Sequence, residues 1–216
     1  MKLLIQKKNL LNYTVNQLNF FFNDGTKVSS RVLKKPFNIA LERIENCFKA
    51  VNNNYYQKLG ISIFNHLNSD HFCTFLYFLS NSCYSMKLNS IICEKIYYLN
   101  KILHSVDIFY EVELPDIFLL VHPIGTVLGR AKYSNYFVVY QGCNVGSNKN
   151  EKPIFEKYVT LRPNSSVMGK SKIYENSVIA AHSLILNQNV KKNLVYIGNP
   201  KKFYHLKNKE KYPCWK

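Results

Sequence analysis

The sequence is short of acid: 13 Asp and Glu stand against 29 Lys and Arg, a formal net charge of +16. A surplus of that size points to an anionic partner: nucleic acid, a phosphorylated cofactor, an acidic polysaccharide or a lipid surface. No nucleic-acid recognition motif accompanies the charge, so nucleic acid is not an expected partner. Clustered cysteine is also missing. Cys47, Cys73, Cys83, Cys93, Cys143 and Cys214 are scattered with no CxxC and no Cys/His grouping, which argues against a zinc site, and no metal is expected. Long apolar runs are absent as well. The longest, FCTFLYFL at 72–79, falls well short of the ~20 residues that span a bilayer, so stable membrane insertion is not expected. In the opening MKLLIQKKNLLNYTVNQ, Gln6, Lys7 and Lys8 interrupt the apolar stretch too early for a secretory signal. A cytoplasmic chain with reduced cysteines is the expectation.

What is present divides into two halves. Over the first hundred residues the apolar spacing is helical. Leu11, Val15, Leu18 and Phe22 follow three- and four-residue steps until Asn23-Asp24-Gly25 stops them. Pro36 is expected to open a second helix with Phe37, Leu41, Ile44 and Phe48 on one side, ending at Asn52–Asn54. Ser69 or Asp70 is expected to cap a third, DHFCTFLYFLSNSCYSM, and IICEKIYYLNKILHS forms a fourth. These stripes read as packing faces without chemistry.

Near Val106 the period changes. From Phe155 the chain falls into FEKYVT, LRPNSS, VMGKSK, IYENSV, IAAHSL and ILNQNV. Position one is always apolar: Phe155, Leu161, Val167, Ile173, Ile179, Ile185. Position five is small or short: Val159, Ser165, Ser171, Ser177, Ser183, Asn189. Neither a helix nor an ordinary strand produces that pairing; a solenoid turning a corner every six residues does. The large residue points into the coil and the small one fits where inward space is tight. Ile108, Leu114 and Leu120 lead into the register, and Val127, Tyr133, Val139 and Val145 continue it after one extra residue. That irregularity lies beside His122, a polar residue inside FLLVHPIGTVLG at 118–129. A satisfied core histidine and a catalytic base on a rigid wall both suit that setting.

Three motifs carry a resemblance. VDI at 106–108 followed by HPIGTVLG at 122–129, the stretch FVVYQGCNVGS, and IGNPKK at 197–202 resemble the hexapeptide-repeat acyltransferases, the serine O-acetyltransferases in particular. The resemblance covers about 106–203 and implies an α+β chain: an α-helical N-terminal domain (1–105), a left-handed parallel β-helix (106–203) and a basic C-terminal tail (204–216). It implies acetyl-CoA as donor, His122 as general base and Asp107 as its orienting partner. Histidine suits the first role because its ordinary pKa, near 6.5, lets it take a hydroxyl proton at neutral pH. If a coil takes three hexads, the 15 residues from Asp107 to His122 would bring the two side by side on adjacent coils. The family also implies a homotrimer, which the helical domain can pair into a hexamer, with acetyl-CoA lying between subunits. Matching positions are Gly146 and Ser147 at a turn, Ala180 and Ala181 in a small-residue coil, and Gly198, Lys201 and Lys202 at the end. Small side chains admit the pantetheine arm, and lysines neutralise phosphates.

The departures point to the acceptor. The family's serine enzymes carry aspartate where Val121 stands, and an Arg-His-Pro where Glu151-Lys152-Pro153 stands. Those groups grip the acceptor's ammonium and carboxylate. A sugar hydroxyl of a cell-surface glycan or its precursor is therefore expected, with Lys152 and Asp70 as acceptor contacts. Serine O-acetylation, N-acetylation of a nucleotide-linked amino sugar, and a non-catalytic trimeric scaffold stay open. His71 is expected to pack and His182 to sit exposed at a coil corner.

Overall fold

The computed structural model describes residues 1–216. Four helices come first: α1 (Lys7–Phe21), α2 (Ser30–Lys49), α3 (Ser69–Ser85) and α4 (Ser90–His104). Two of their starts differ from expectation. Ser29 caps α2 by accepting from the Val32 N–H, which leaves Pro36 inside the helix and not at its opening. The cap outweighs the one backbone bond a proline forfeits there. α3 is capped by Asn68, whose Oδ1 accepts from Asp70 N and His71 N, so the Asp70 carboxylate is free for other work. Short strands at Lys2–Leu3, Gln57–Lys58 and Ile61–Phe64 form a small sheet beside the helices. Two-residue strands have no period to read in a sequence. No helix is long and apolar enough to cross a membrane.

The rest is a parallel β-helix with three faces. One stacks the strands 127–128, 144–146, 166–168 and 184–186; a second stacks 154–155 and 172–173; the third stacks 118–121, 137–140, 160–161, 178–179 and 194–199. Ser166 pairs with Leu184, Lys172 with Ile154 and Val178 with Thr160, each 18 residues apart, so a coil is three hexads. Every position-one residue from Phe155 to Ile185 is fully buried, and Val159, Ser165, Ser171, Ser177 and Ser183 also face in. The register slips at both ends. Leu128, paired with Val145, faces in while Val127 is 40% exposed, because the corner at 122–125 takes up two extra residues. At the far end Val190 is buried and Asn189 is exposed, since Val190 pairs with Ile173 after 17 residues.

Helices and coils share one core. Tyr77 of α3 donates to Val112 O (2.8 Å) and accepts from Leu114 N (2.9 Å), Asn81 donates to Tyr110 O (2.9 Å), and Phe78 packs on Phe118. Five cysteines are buried as small apolar groups; burial pushes the Cys47 thiol up to about 12. The segment expected as a tail is built into the structure. Strand 202–207 pairs antiparallel with 194–199, so a boundary at 203/204 would cut a strand. Residues 208–216 then run back along the third face. Tyr212 stacks on Tyr158 at 3.7 Å, Trp215 meets Tyr136 edge-on at 5.4 Å, and Asn52 N donates to Cys214 O at 2.9 Å. Two aromatics among lysines supply enough apolar surface to dock the strap.

Candidate active site

The strand Phe118–Val121 ends at a corner where His122 takes a left-handed backbone, φ +48°. Ile124 N bonds back to His122 O (2.8 Å), Thr126 N to Pro123 O (3.1 Å), and Gly125, at φ +72°, donates to Ser105 O at the end of α4 (2.9 Å). The corner is tied down and its histidine side chain is 76% exposed. That exposure removes the core-histidine reading.

Asp70, in the first turn of α3, reaches the corner from the helical side. Its side chain is 10% exposed, and Oδ2 accepts from His122 N at 3.2 Å and lies 3.7 Å from His122 Nδ1. These two residues, with Ser69, Leu103, His104, Ser105, Pro123 and Ile124, line a cleft of about 170 Å³. His104 Nδ1 lies 2.7 Å from Asn100 Oδ1, and burial lowers its ring to about 4; it is a neutral wall. Tyr56 lies behind Asp70, and burial, with the neighbouring carboxylate, pushes its phenol up. His71 points away. Its ring packs on Phe48 and Tyr56 at 4.8 and 4.6 Å, Nδ1 accepts from Asn65 N, and burial lowers it to about 4.

The expected pairing of Asp107 with His122 is corrected. Asp107 accepts from Tyr97 OH (2.7 Å) and Lys101 Nζ (2.6 Å) on α4. Burial alone would raise its carboxyl, but these two bonds hold it below the usual carboxylate range. Across the coils it stands over Val127 and not His122. The two extra corner residues turn the five-sixths of a coil assumed from spacing into something longer. Lys152 does not reach the cleft within the chain. The loop 146–153 folds on itself through Asn148–Glu151 bonds, and Lys152 lines a separate, mixed-charge cleft with Glu111, Glu113 and Arg130.

The positions expected for acetyl-CoA are distributed along the coils. Gly146 lies on an outer strand where an added Cβ would meet Met168 at 3.2 Å, and Ser147 follows it exposed. Ala180 and Ala181 line a cleft of about 670 Å³ with Arg162, Lys207 and Lys209. Gly198, at φ +119°, sits where a Cβ would strike Lys202 O, and Lys201 and Lys202 form the hairpin tip, both N–H groups donating to Asn199 Oδ1. His182 is exposed at a corner, φ +58°.

Residues not singled out from sequence also belong here. Arg162 Nη1 donates to Tyr140 OH (3.2 Å), and Nη2 lies 3.8 Å from Glu210 on the strap. Gln141, following Tyr140 in the strand paired with Val121, stands one coil from His122 with a buried, unpartnered Oε1. The 18-residue period was the available signal: it stacks these residues although they lie far apart in sequence.

No family model and no curated protein matches the sequence. Solved structures do. The chain is similar to the serine acetyltransferase of Vibrio cholerae O1 biovar El Tor N16961, with 15% identity, a TM-score of 0.74, and 96% of this chain and 81% of that one covered. It is similar to that of Neisseria gonorrhoeae (16%, TM-score 0.72, 96% and 81%). It is similar also to that of Brucella abortus strain S19 in complex with coenzyme A (16%, TM-score 0.70, 94% and 83%). At such identities the likeness speaks for the fold, and the chain has the serine acetyltransferase fold: a helical N-terminal region followed by a left-handed β-helix of hexapeptide repeats.

Proposed function

We propose that the chain is an acetyl-CoA-dependent O-acetyltransferase of the cytoplasm with His122 as general base. The observation that carries this reading is an exposed imidazole on a fixed coil corner, with a buried carboxylate at its side and a small cleft in front. In such a reaction His122 takes the acceptor's hydroxyl proton as oxygen attacks the thioester carbonyl, and passes it to the sulfur as the C–S bond breaks. The donor's fit is supported by the open strip at Gly146 and Ser147 and by the floor at Ala180 and Ala181. Cations at Arg162, Lys207 and Lys209 flank that floor and suit phosphates. Gly198, Lys201 and Lys202 are assigned to the same donor, and the chain to a homotrimer that its helices can pair into a hexamer.

A sugar hydroxyl, on a cell-surface glycan or its precursor, is the proposed acceptor. The His122 cleft contains no lysine or arginine, so a free carboxylate entering it meets no cation from this chain, whereas a hydroxyl-rich neutral ring suits its polar walls. Free serine is the second reading, favoured by the fold it shares with the serine enzymes. The test measures CoA release from acetyl-CoA with free serine, nucleotide sugars and neutral oligosaccharides, beside His122→Ala. Release stimulated by a sugar and reduced roughly 10²-fold or more in the variant is expected. Stimulation by serine alone moves the acceptor to the second reading, and release that ignores both acceptor and His122 overturns the enzyme.

A further inference from the structure

We infer that Asp70, from the helical region, is the residue that positions the His122 ring, a task the sequence had suggested for Asp107. The inference rests on the proposed role of His122 and adds a positioning residue to it. One carboxylate oxygen serves two atoms of the same histidine: Oδ2 accepts from the backbone N–H at 3.2 Å and faces ring Nδ1 at 3.7 Å. A side-chain rotation of a few tenths of an ångström at the ring closes the second contact into a bond, as commonly happens when a substrate fills a site. The alternative carboxylate is engaged elsewhere, with one Asp107 oxygen on Tyr97 and the other on Lys101.

The geometry has a chemical consequence. A carboxylate on Nδ1 keeps the neutral ring's proton on that nitrogen and leaves the Nε2 lone pair for the acceptor. It also offers a negative charge to the imidazolium that forms in the reaction. Asp70 can do this because Asn68 has taken over the capping of α3 and because the carboxylate is nearly buried, where its charge is little screened. The remaining groups around the corner do not compete. From α4, His104 is held neutral by burial and bonded to Asn100; from the next coil come the uncharged Gln141 and Tyr140, the latter bonded to Arg162; behind Asp70 stands the protonated phenol of Tyr56.

The test follows the ring itself. In the full-length protein, ¹⁵N shifts of the neutral His122 ring should show the Nδ1–H tautomer. In Asp70→Ala the ring should revert to the Nε2–H form that free imidazole side chains prefer, while Asp107→Ala leaves it as in the native protein. A native ring unchanged by Asp70→Ala, or one that responds to Asp107→Ala instead, overturns the assignment. Asp70→Asn, which keeps the shape and removes the charge, covers the case in which the alanine variant folds poorly. With acetyl-CoA as substrate, kcat/KM for CoA release should fall roughly 10²-fold or more in Asp70→Asn. Its acid limb should shift to lower pH, because the imidazolium loses a neighbouring anion; an unshifted limb counts against Asp70. The tautomer needs no substrate, so its outcome stands apart from that of the acetyl-transfer reading, which His122→Ala decides.

Discussion

His71 and His122 are both histidines against the same helix start, and burial separates them. His71 is 1% exposed among Phe48, Tyr56 and Phe64, with Nε2 unpartnered, and its ring is lowered to about 4. The exposed His122 has the cleft and the carboxylate. The buried ring makes a prediction of its own. An unfolded histidine titrates near 6.5 and the folded one near 4, so between those values the unfolded chain binds the extra proton and stability falls as pH drops. The loss through His71 reaches about 3 kcal/mol by pH 4. Urea midpoints of the native protein should therefore fall between pH 7 and pH 4.5 more steeply than those of His71→Gln; parallel curves would assign the acid sensitivity elsewhere.

At the scale of elements, the hexad sets which residue enters the coil, and the His122 corner shows where it slips. Leu128 is 1% exposed and paired with Val145, whereas its neighbour Val127 faces out. Leu128→Ala should cost about 2–5 kcal/mol through lost transfer energy and a residual cavity, and Val127→Ala about 0.5 kcal/mol or less. Denaturant titration of the two variants checks the register; a reversed order would restore the one in which Val127 points inward. The slip matters for chemistry, because the same extra residues carry Asp107 over Val127 and leave His122 to a carboxylate from a helix.

At the scale of the molecule, the strap joins the two regions that the apolar core already shares. Trp215 is 6% exposed, bridges to Val51 beyond α2 and meets Tyr136 on the coil. Trp215→Ala removes that contact at both ends. A loss of about 3 kcal/mol and a fall in Tm of roughly 6–12 °C are expected by calorimetry, and an unchanged Tm would show that the strap adds nothing to the fold.

The repeat, the number of helices and the place of His122 were legible in the sequence, because each depends on a local rule. Apolar residues at three- and four-residue steps can bury one face only as a helix, and a hexad with a large and a small inward position can bury both only as a three-faced coil. Even the catalytic candidate announced itself by interrupting that rhythm. The partner of His122 was not legible. Whether Asp70 or Asp107 meets the ring depends on which residue caps α3, how many residues the corner absorbs and whether Tyr97 and Lys101 reach a carboxylate first. Those are competitions between groups far apart in sequence, and only packing the helices against the coils resolves them. The same holds for the last residues, whose lysines spell a solvated tail while Tyr212 and Trp215 find aromatic surface that exists only once the coils are stacked.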